Sequence, residues 1–271
     1  FPAFGGLLSV IKNGGEGAYA PTAAFTGERA HSLSFMGGDD EHIYFAIAQN
    51  DAGVFGAGNQ GLVLARLPAD DGSFVTWPPA WQLITTLEPL EVAQDDVSEI
   101  RLNNAGDALV ASYLVAGVAK FYATRDLEGI DSAVAGNGEP ELREIARCAD
   151  AILADAAFDG ELLYIACVDA GGDLEIRRAA IDDLTAEPAW EIVPTRIGGA
   201  IDAIDLEASA ERGVSIALRQ GERLRVYTWL SGDPSFDEAL VGDFDHAHSA
   251  AGVILSVCDQ EGDGIVRTFM Y

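Results

Sequence analysis

Lysine is almost missing from this chain: Lys12 and Lys120 are the only two. Together with arginine the basic residues number 16, against 44 Asp plus Glu, so the net charge is −28 and is spread along the chain. Such a field repels phosphate backbones and anionic bilayers, which argues against nucleic-acid and membrane partners and favours cationic ligands or divalent metals. The acid-rich, lysine-poor balance suits a salty or extracellular setting, although a GC-rich genome that prefers Arg and Ala accounts for the lysine shortage equally well. No apolar run reaches the roughly 18 residues of a spanning helix, so no membrane insertion is expected. Motifs of common chemistries are missing too: there is no GxSxG elbow, no Walker loop and no HExxH. Three cysteines, Cys148, Cys167 and Cys258, make no disulfide framework and show no zinc spacing. Cys167 and Cys258 sit in equivalent apolar runs and read as buried small hydrophobes, with a bridge from Cys148 to one of them left open. The start at Phe1, with no initiating Met and no basic segment ahead of an apolar one, points to a processed or trimmed chain.

What is present is a repeat. Pro79-Ala80-Trp81-Gln82-Leu83-Ile84 and Pro188-Ala189-Trp190-Glu191-Ile192-Val193 are near copies, with looser versions beginning at Pro140, Pro234 and Pro21, so that successive copies lie 46 to 61 residues apart. That period belongs to stacked or radial arrays. Between the copies run short segments rich in Val, Ile, Leu, Tyr and Phe, separated by Gly/Asp/Asn turns, such as His42 to Gln49, Ala108 to Val115 and Glu161 to Val168. They are too short for helices and read as strands joined in hairpins. Four strands per unit is the signature of a propeller blade. Labelled a to d from the axis outward, strand b is the most apolar, as a strand covered on both faces must be, and the proline-led strand d carries the charge expected of an edge.

The fold predicted is an all-β single β-propeller over residues 1–271 with five four-stranded blades. The approximate repeats are 30–90, 95–146, 150–195, 201–240 and 245–271, the last completed by an N-terminal outer strand at 18–26 that closes the ring. Gly6–Ile11 resembles the c strand Gly61–Arg66 and disturbs this count, so six blades is the alternative. Trp81 and Trp190, at equivalent positions, are expected to pack between blades.

The run Asn104-Ala105-Gly106-Asp107-Ala108-Leu109-Val110-Ala111, followed by a hairpin, resembles the repeats of secreted bacterial β-propellers of the broad YVTN/WD40-like kind. The resemblance implies the fold and export, hence an extracytoplasmic or secreted location. It does not imply an activity.

Ligands of propellers commonly bind where the d–a and b–c loops form one face, so the starts of strands a carry the candidates. Ala30-His31-Ser32 and Ala247-His248-Ser249 repeat a tripeptide, and His246 and His248 share one side of a strand. With Asp96, Asp150 and Asp202 they define a ligand-binding site at the channel mouth. Its histidines, His31, His246 and His248, are candidate ligands of a divalent metal, since imidazole with carboxylate suits a transition ion. Aspartates at loop ends are also what a chain this acidic shows without any site. The turns Asp70-Asp71-Gly72 and Asp259 to Gly264 lack the spacing of an EF-hand loop and read as turns. The function expected is a non-catalytic binding or scaffold module for a protein or carbohydrate ligand. The alternative is a glycoside hydrolase, because the layout resembles five-bladed arabinanase-type propellers that use inner-strand carboxylates. Asp96, Asp155, Asp202 and Asp205 are the candidates for that chemistry.

Overall fold

The computed structural model describes residues 30–37, 42–49, 61–68, 82–89, 97–105, 108–125, 129–131, 142–180, 188–209, 213–221, 223–243, 253–257 and 266–270. The chain divides into two compact units, 1–104 with 126–142, and 105–125 with 143–271. In the first unit β1 (Ala30–Gly37), β2 (His42–Gln49), β3 (Gly61–Pro68) and β4 (Gln82–Pro89) form an antiparallel sheet in chain order. Strand β5 (Val97–Ala105) runs up to the boundary of this unit.

The second unit holds the antiparallel series β6 (Ala108–Val115), β7 (Val118–Thr124) and β8 (Arg143–Cys148). Two four-stranded meanders follow, β9 (Ala151–Phe158), β10 (Leu162–Asp169), β11 (Leu174–Ala180) and β12 (Glu191–Val193), then β13 (Ala203–Ser209), β14 (Gly213–Gln220), β15 (Arg223–Trp229) and β16 (Asp237–Asp243). A hairpin of β17 (Val253–Val257) and β18 (Val266–Met270) ends the described chain. The predicted a–b–c–d order is therefore the observed hydrogen-bonding order, each strand lying beside its neighbour in sequence, as short glycine turns require. The predicted outer strand at 18–26, the last strand a, Trp81 and Gly6–Ile11 lie outside the described residues.

Burial follows position in the sheet. Every residue of β6 is buried, and β10 is buried except at its two ends, whereas β8 and β12 are largely open to solvent. A strand with a sheet on each face has no solvent side to offer, so both of its side-chain sets are apolar. Two cores result within the second unit. Val110, Leu114 and Phe121 meet Ala154, Ala156, Leu163 and Ile165 in one. Leu153, Ala166 and Ile176 meet Ile204, Leu206, Ile216 and Trp229 in the other. Trp190 packs against the first core, and its Nε1–H donates to the Ile145 carbonyl at 3.2 Å. That anchor leaves only Glu191–Val193 of the proline-led hexapeptide to pair as strand. At Gly213 the backbone has φ +69°, and a Cβ would stand 2.1 Å from the Trp229 carbonyl oxygen, so the β14–β15 pairing tolerates only glycine there.

A cross-strand device that sequence reading missed recurs in two sheets. Tyr44, Arg66 and Gln82 lie side by side on β2, β3 and β4, and Tyr164, Arg178 and Glu191 do the same on β10, β11 and β12. In each, the arginine Nε–H donates to the neighbouring side-chain oxygen, at 2.7 Å to Gln82 and 3.0 Å to Glu191. In each, the guanidinium then reaches onward. Arg66 pairs with Asp131 in a helical turn at 129–131, and Arg178 donates to Ser231 Oγ at 3.1 Å while lying 5.2 Å from the centre of the Trp229 ring. The planar fork of arginine makes such three-way contacts where lysine could not.

Cys148 and Cys167 form a disulfide. This corrects the reading of Cys167 as an unpaired apolar filler; Cys258 lies outside the described residues. Cys148 ends β8 while Cys167 lies in β10, in an apolar run whose face is turned toward that strand, 6.5 Å away between Cα atoms. The bridge joins residues 19 apart, a loop whose closure stabilises the native state by about 3 kcal/mol. Cys148→Ser combined with Cys167→Ser is expected to lose that amount in guanidinium denaturation. A loss under about 1 kcal/mol would show that the seam between β8 and β10 holds without the bridge.

Candidate functional site

Strands β9 and β13, each the first of its sheet, carry the two carboxyl groups with the most distinctive surroundings. Asp155, in β9, is 3% exposed. Its Oδ1 accepts from the Ala156 amide and its Oδ2 from the Leu206 amide of β13, both at 2.8 Å. The first strand of a sheet has an open edge whose amides need partners. Asp155 supplies one for β13 and thereby clasps two sheets together.

Glu207 follows Leu206 directly. Ile204 and Leu206 enter the core shared with β9 and β10, so by strand alternation Asp205 and Glu207 project from the opposite face of β13. Both are half-buried. Burial, followed by the charge of Asp155, raises the Glu207 carboxyl to about 7. Opposite Glu207 lies the buried Ser215.

The raised value has a sign that can be checked. Between the ordinary carboxyl value of 4.5 and about 7 the native protein holds a proton that the unfolded chain releases. Stability contributed by Glu207 therefore falls as pH rises through this window, and the deficit is complete above it. Glu207→Gln is expected to be about 2 kcal/mol more stable than wild type at pH 8, allowing for the group's partial exposure, and equal to it at pH 4. Urea titrations at the two pH values check this; an equal difference at both would sink it.

The predicted channel-mouth residues fall as follows. Asp150 occupies the turn between β8 and β9 with φ 55°, is exposed, and its carbonyl accepts from Ala170 in the β10–β11 turn at 3.1 Å. Asp202, exposed just before β13, accepts through Oδ2 from the Gly221 amide of the β14–β15 turn at 2.6 Å. Both residues thus tie the lead-in to a strand a to the b–c turn of the same sheet, Asp150 through its backbone and Asp202 through its carboxylate. His31 lies on β1, with its side chain outside the description, and Asp96, His246 and His248 fall outside the described residues. Among the described residues no group of three or more His, Cys, Asp or Glu side chains is arranged to hold a metal ion. No helix among them is long and apolar enough to cross a membrane.

A groove of about 520 Å³ opens beside the disulfide. Cys148 and Cys167 form buried parts of its wall, and Asp173, Glu175 and Ile192 form exposed ones, with Arg177 between. Ile192 is 71% exposed, the most exposed large apolar side chain among the described residues.

No family model and no curated protein matches the sequence. Similar solved structures do exist. A triple arginine-to-alanine mutant of AofleA from Arthrobotrys oligospora superposes with a TM-score of 0.59 at 11% identity, covering 91% of this chain and 67% of that one. A prolyl endopeptidase gives 0.51 at 12% identity, over 88% of this chain and 32% of the enzyme, so the chain spans about a third of that relative. A polysaccharide lyase, an ulvan lyase, gives 0.49 at 12%, over 93% and 66%. Identities this low speak to the fold alone. With the antiparallel meanders described above, the first two of these likenesses make the chain an all-β protein of β-propeller-like fold.

Proposed function

We propose that the protein is an exported, carbohydrate-active β-propeller that hydrolyses glycosidic bonds with Glu207 as proton donor and Asp205 as its partner. The observation that carries this reading is Glu207 itself, a half-buried inner-strand carboxyl whose proton is held to about 7. A general acid must keep its proton at working pH and yield it as the glycosidic C–O bond breaks, and a value near neutrality serves that purpose. Asp205 shares its face. Residues two apart on a strand stand on one side of it, which makes Asp205 the second carboxyl group of the pair that this chemistry requires. Asp155, sealed between strands, has no route to substrate; its charge adds to the effect of burial on the Glu207 proton, and its bond to Leu206 holds the neighbouring backbone.

Export is supported by the disulfide, since such bridges persist in oxidising compartments. Five blades closed by the 18–26 strand is the arrangement proposed for the whole ring. A purely binding role is the second reading, favoured by Asp155: its two backbone bonds withdraw one of the four candidate carboxylates from chemistry. The deciding assay is release of reducing ends from neutral polysaccharides by wild type and by Glu207→Gln. Release by wild type that the variant lacks supports hydrolysis, and no release from any polysaccharide by the wild type favours the binding role.

A further inference from the structure

We propose that the protein cuts its own chain between Asp233 and Pro234 in acid, at a processing site separate from Asp205 and Glu207 and independent of the hydrolase reading. Ten prolines occur in the sequence, and Asp233-Pro234 is its only Asp-Pro pair. An X–Pro bond is a tertiary amide, and its nitrogen is more readily protonated than that of an ordinary peptide. An aspartate ahead of it brings a carboxyl group within reach of the same bond. Those two properties belong to the sequence, and the fold adds a third.

The pair lies in the connection from β15 to β16. Residues 230–233 form a turn in which the Asp233 amide donates to the Leu230 carbonyl at 3.0 Å, with Gly232 at φ +102°, a conformation that suits glycine. The Leu230 amide donates in return to Asp233 Oδ2 at 3.1 Å, which fixes the carboxylate and leaves Oδ1 to attack. On the main-chain side, Trp229 Nε1–H donates to the Asp233 carbonyl oxygen at 3.1 Å. The Trp229 side chain is buried, stacks on Phe236 with 6.2 Å between ring centres, and has the Arg178 guanidinium 5.2 Å from its own centre. A cation over the ring is held by the ring's electrons and draws on them, which makes the indole N–H a stronger donor. A fixed donor in dry surroundings, aimed at the oxygen on which charge develops, stabilises a tetrahedral intermediate.

In the step itself, Oδ1 bonds to the Asp233 carbonyl carbon and closes a small ring, while the carbonyl oxygen takes up negative charge against Trp229 Nε1–H. Attack from within the same residue has a high effective concentration. The C–N bond to Pro234 then breaks, its electron pair passing to nitrogen, which takes a proton from solvent at the exposed Pro234. That proton is why acid promotes the cut. Water opens the cyclic anhydride that remains, so one water is consumed and Asp233 becomes a chain end with two carboxyl groups. Strand β16 pairs with β15, so the two pieces stay together until the protein is denatured.

The test is mass spectrometry of the full chain in denaturing solvent after incubation at pH 5 and at pH 8. At pH 5 two pieces are expected, 1–233 and 234–271, together heavier than the chain by one water, at a rate constant that does not change with protein concentration. That rate should be about tenfold or more above the rate at pH 8, and also above that of the same chain held at pH 5 in concentrated urea. Asp233→Ala removes the attacking group and should give no pieces. Trp229→Phe keeps an aromatic ring but removes the N–H, and should slow the cut about tenfold, with circular dichroism at pH 5 confirming that the variant is folded. The comparison with urea uses wild type alone and so decides the matter even if Trp229→Phe does not fold. No pieces at pH 5, cutting at other bonds, or a native rate no greater than the rate in urea overturns the proposal. So does an unchanged rate in folded Trp229→Phe.

Discussion

Asp155→Ala is expected to destabilise the protein by about 4 kcal/mol, the largest single-residue effect the structure implies. Hydrogen bonds to a charged acceptor contribute about 1.5–3 kcal/mol each, and a buried amide left without a partner costs about 1–3 kcal/mol. Asp155 accepts from two amides while 3% exposed, and its removal leaves Leu206 N–H with no acceptor at the inner edge of β13. Asp155→Asn keeps one acceptor oxygen but turns an NH₂ toward the other amide, so a loss of about 2–3 kcal/mol is expected. Denaturant unfolding of the two variants measures this. A loss below about 1 kcal/mol for alanine would mean that water reaches Leu206 and that the clasp is not structural.

Glu207→Gln is expected to lower kcat by about 10²–10⁴-fold, the usual contribution of a positioned acid. Two signatures distinguish an acid from a group that merely shapes the site. Wild-type kcat should fall on the alkaline side through about 7, as Glu207 gives up its proton. Substrates with a good leaving group, such as nitrophenyl glycosides, should restore much of the rate in Glu207→Gln, because they need little protonation. Asp205→Asn should lose activity on both kinds of substrate. An alkaline limb that stays in place in Glu207→Gln would assign the proton to another group.

Much of the fold was legible because its causes are local. Strand b of each repeat announces itself as an unbroken apolar run, and the turns carry the glycines their backbone requires, so His42–Gln49 and Ala108–Val115 were bounded to the residue. The helical turn at 129–131 was not legible, and its place in the structure comes from Asp131 meeting Arg66 across 65 positions. The disulfide could be left open as a bridge from Cys148 but not assigned to Cys167 over Cys258, because its two cysteines belong to different sheets and spacing alone carries no signal of their meeting. At the candidate site, Asp155 and Asp205 could be singled out as inner-strand acids. Glu207 could not, because its distinguishing property is burial beside a charge contributed by a strand some fifty residues away. Asp150 and Asp202 were singled out as channel-mouth acids from their place at the start of a strand; that place also gives Asp150 a backbone bond to Ala170 and lets the Asp202 carboxylate accept from Gly221, contacts that no motif announces.

The matched arginines, Arg66 and Arg178, lie 112 residues apart, about twice the proline-led period. Neither β7 nor β15 repeats the Tyr–Arg–Gln/Glu row across its sheet. Each arginine instead reaches the connection between the third and fourth strands of the next sheet, Asp131 for Arg66 and Ser231 for Arg178. Losing either one therefore strips a contact from a neighbouring connection as well as from its own sheet, so its cost is shared between two repeats.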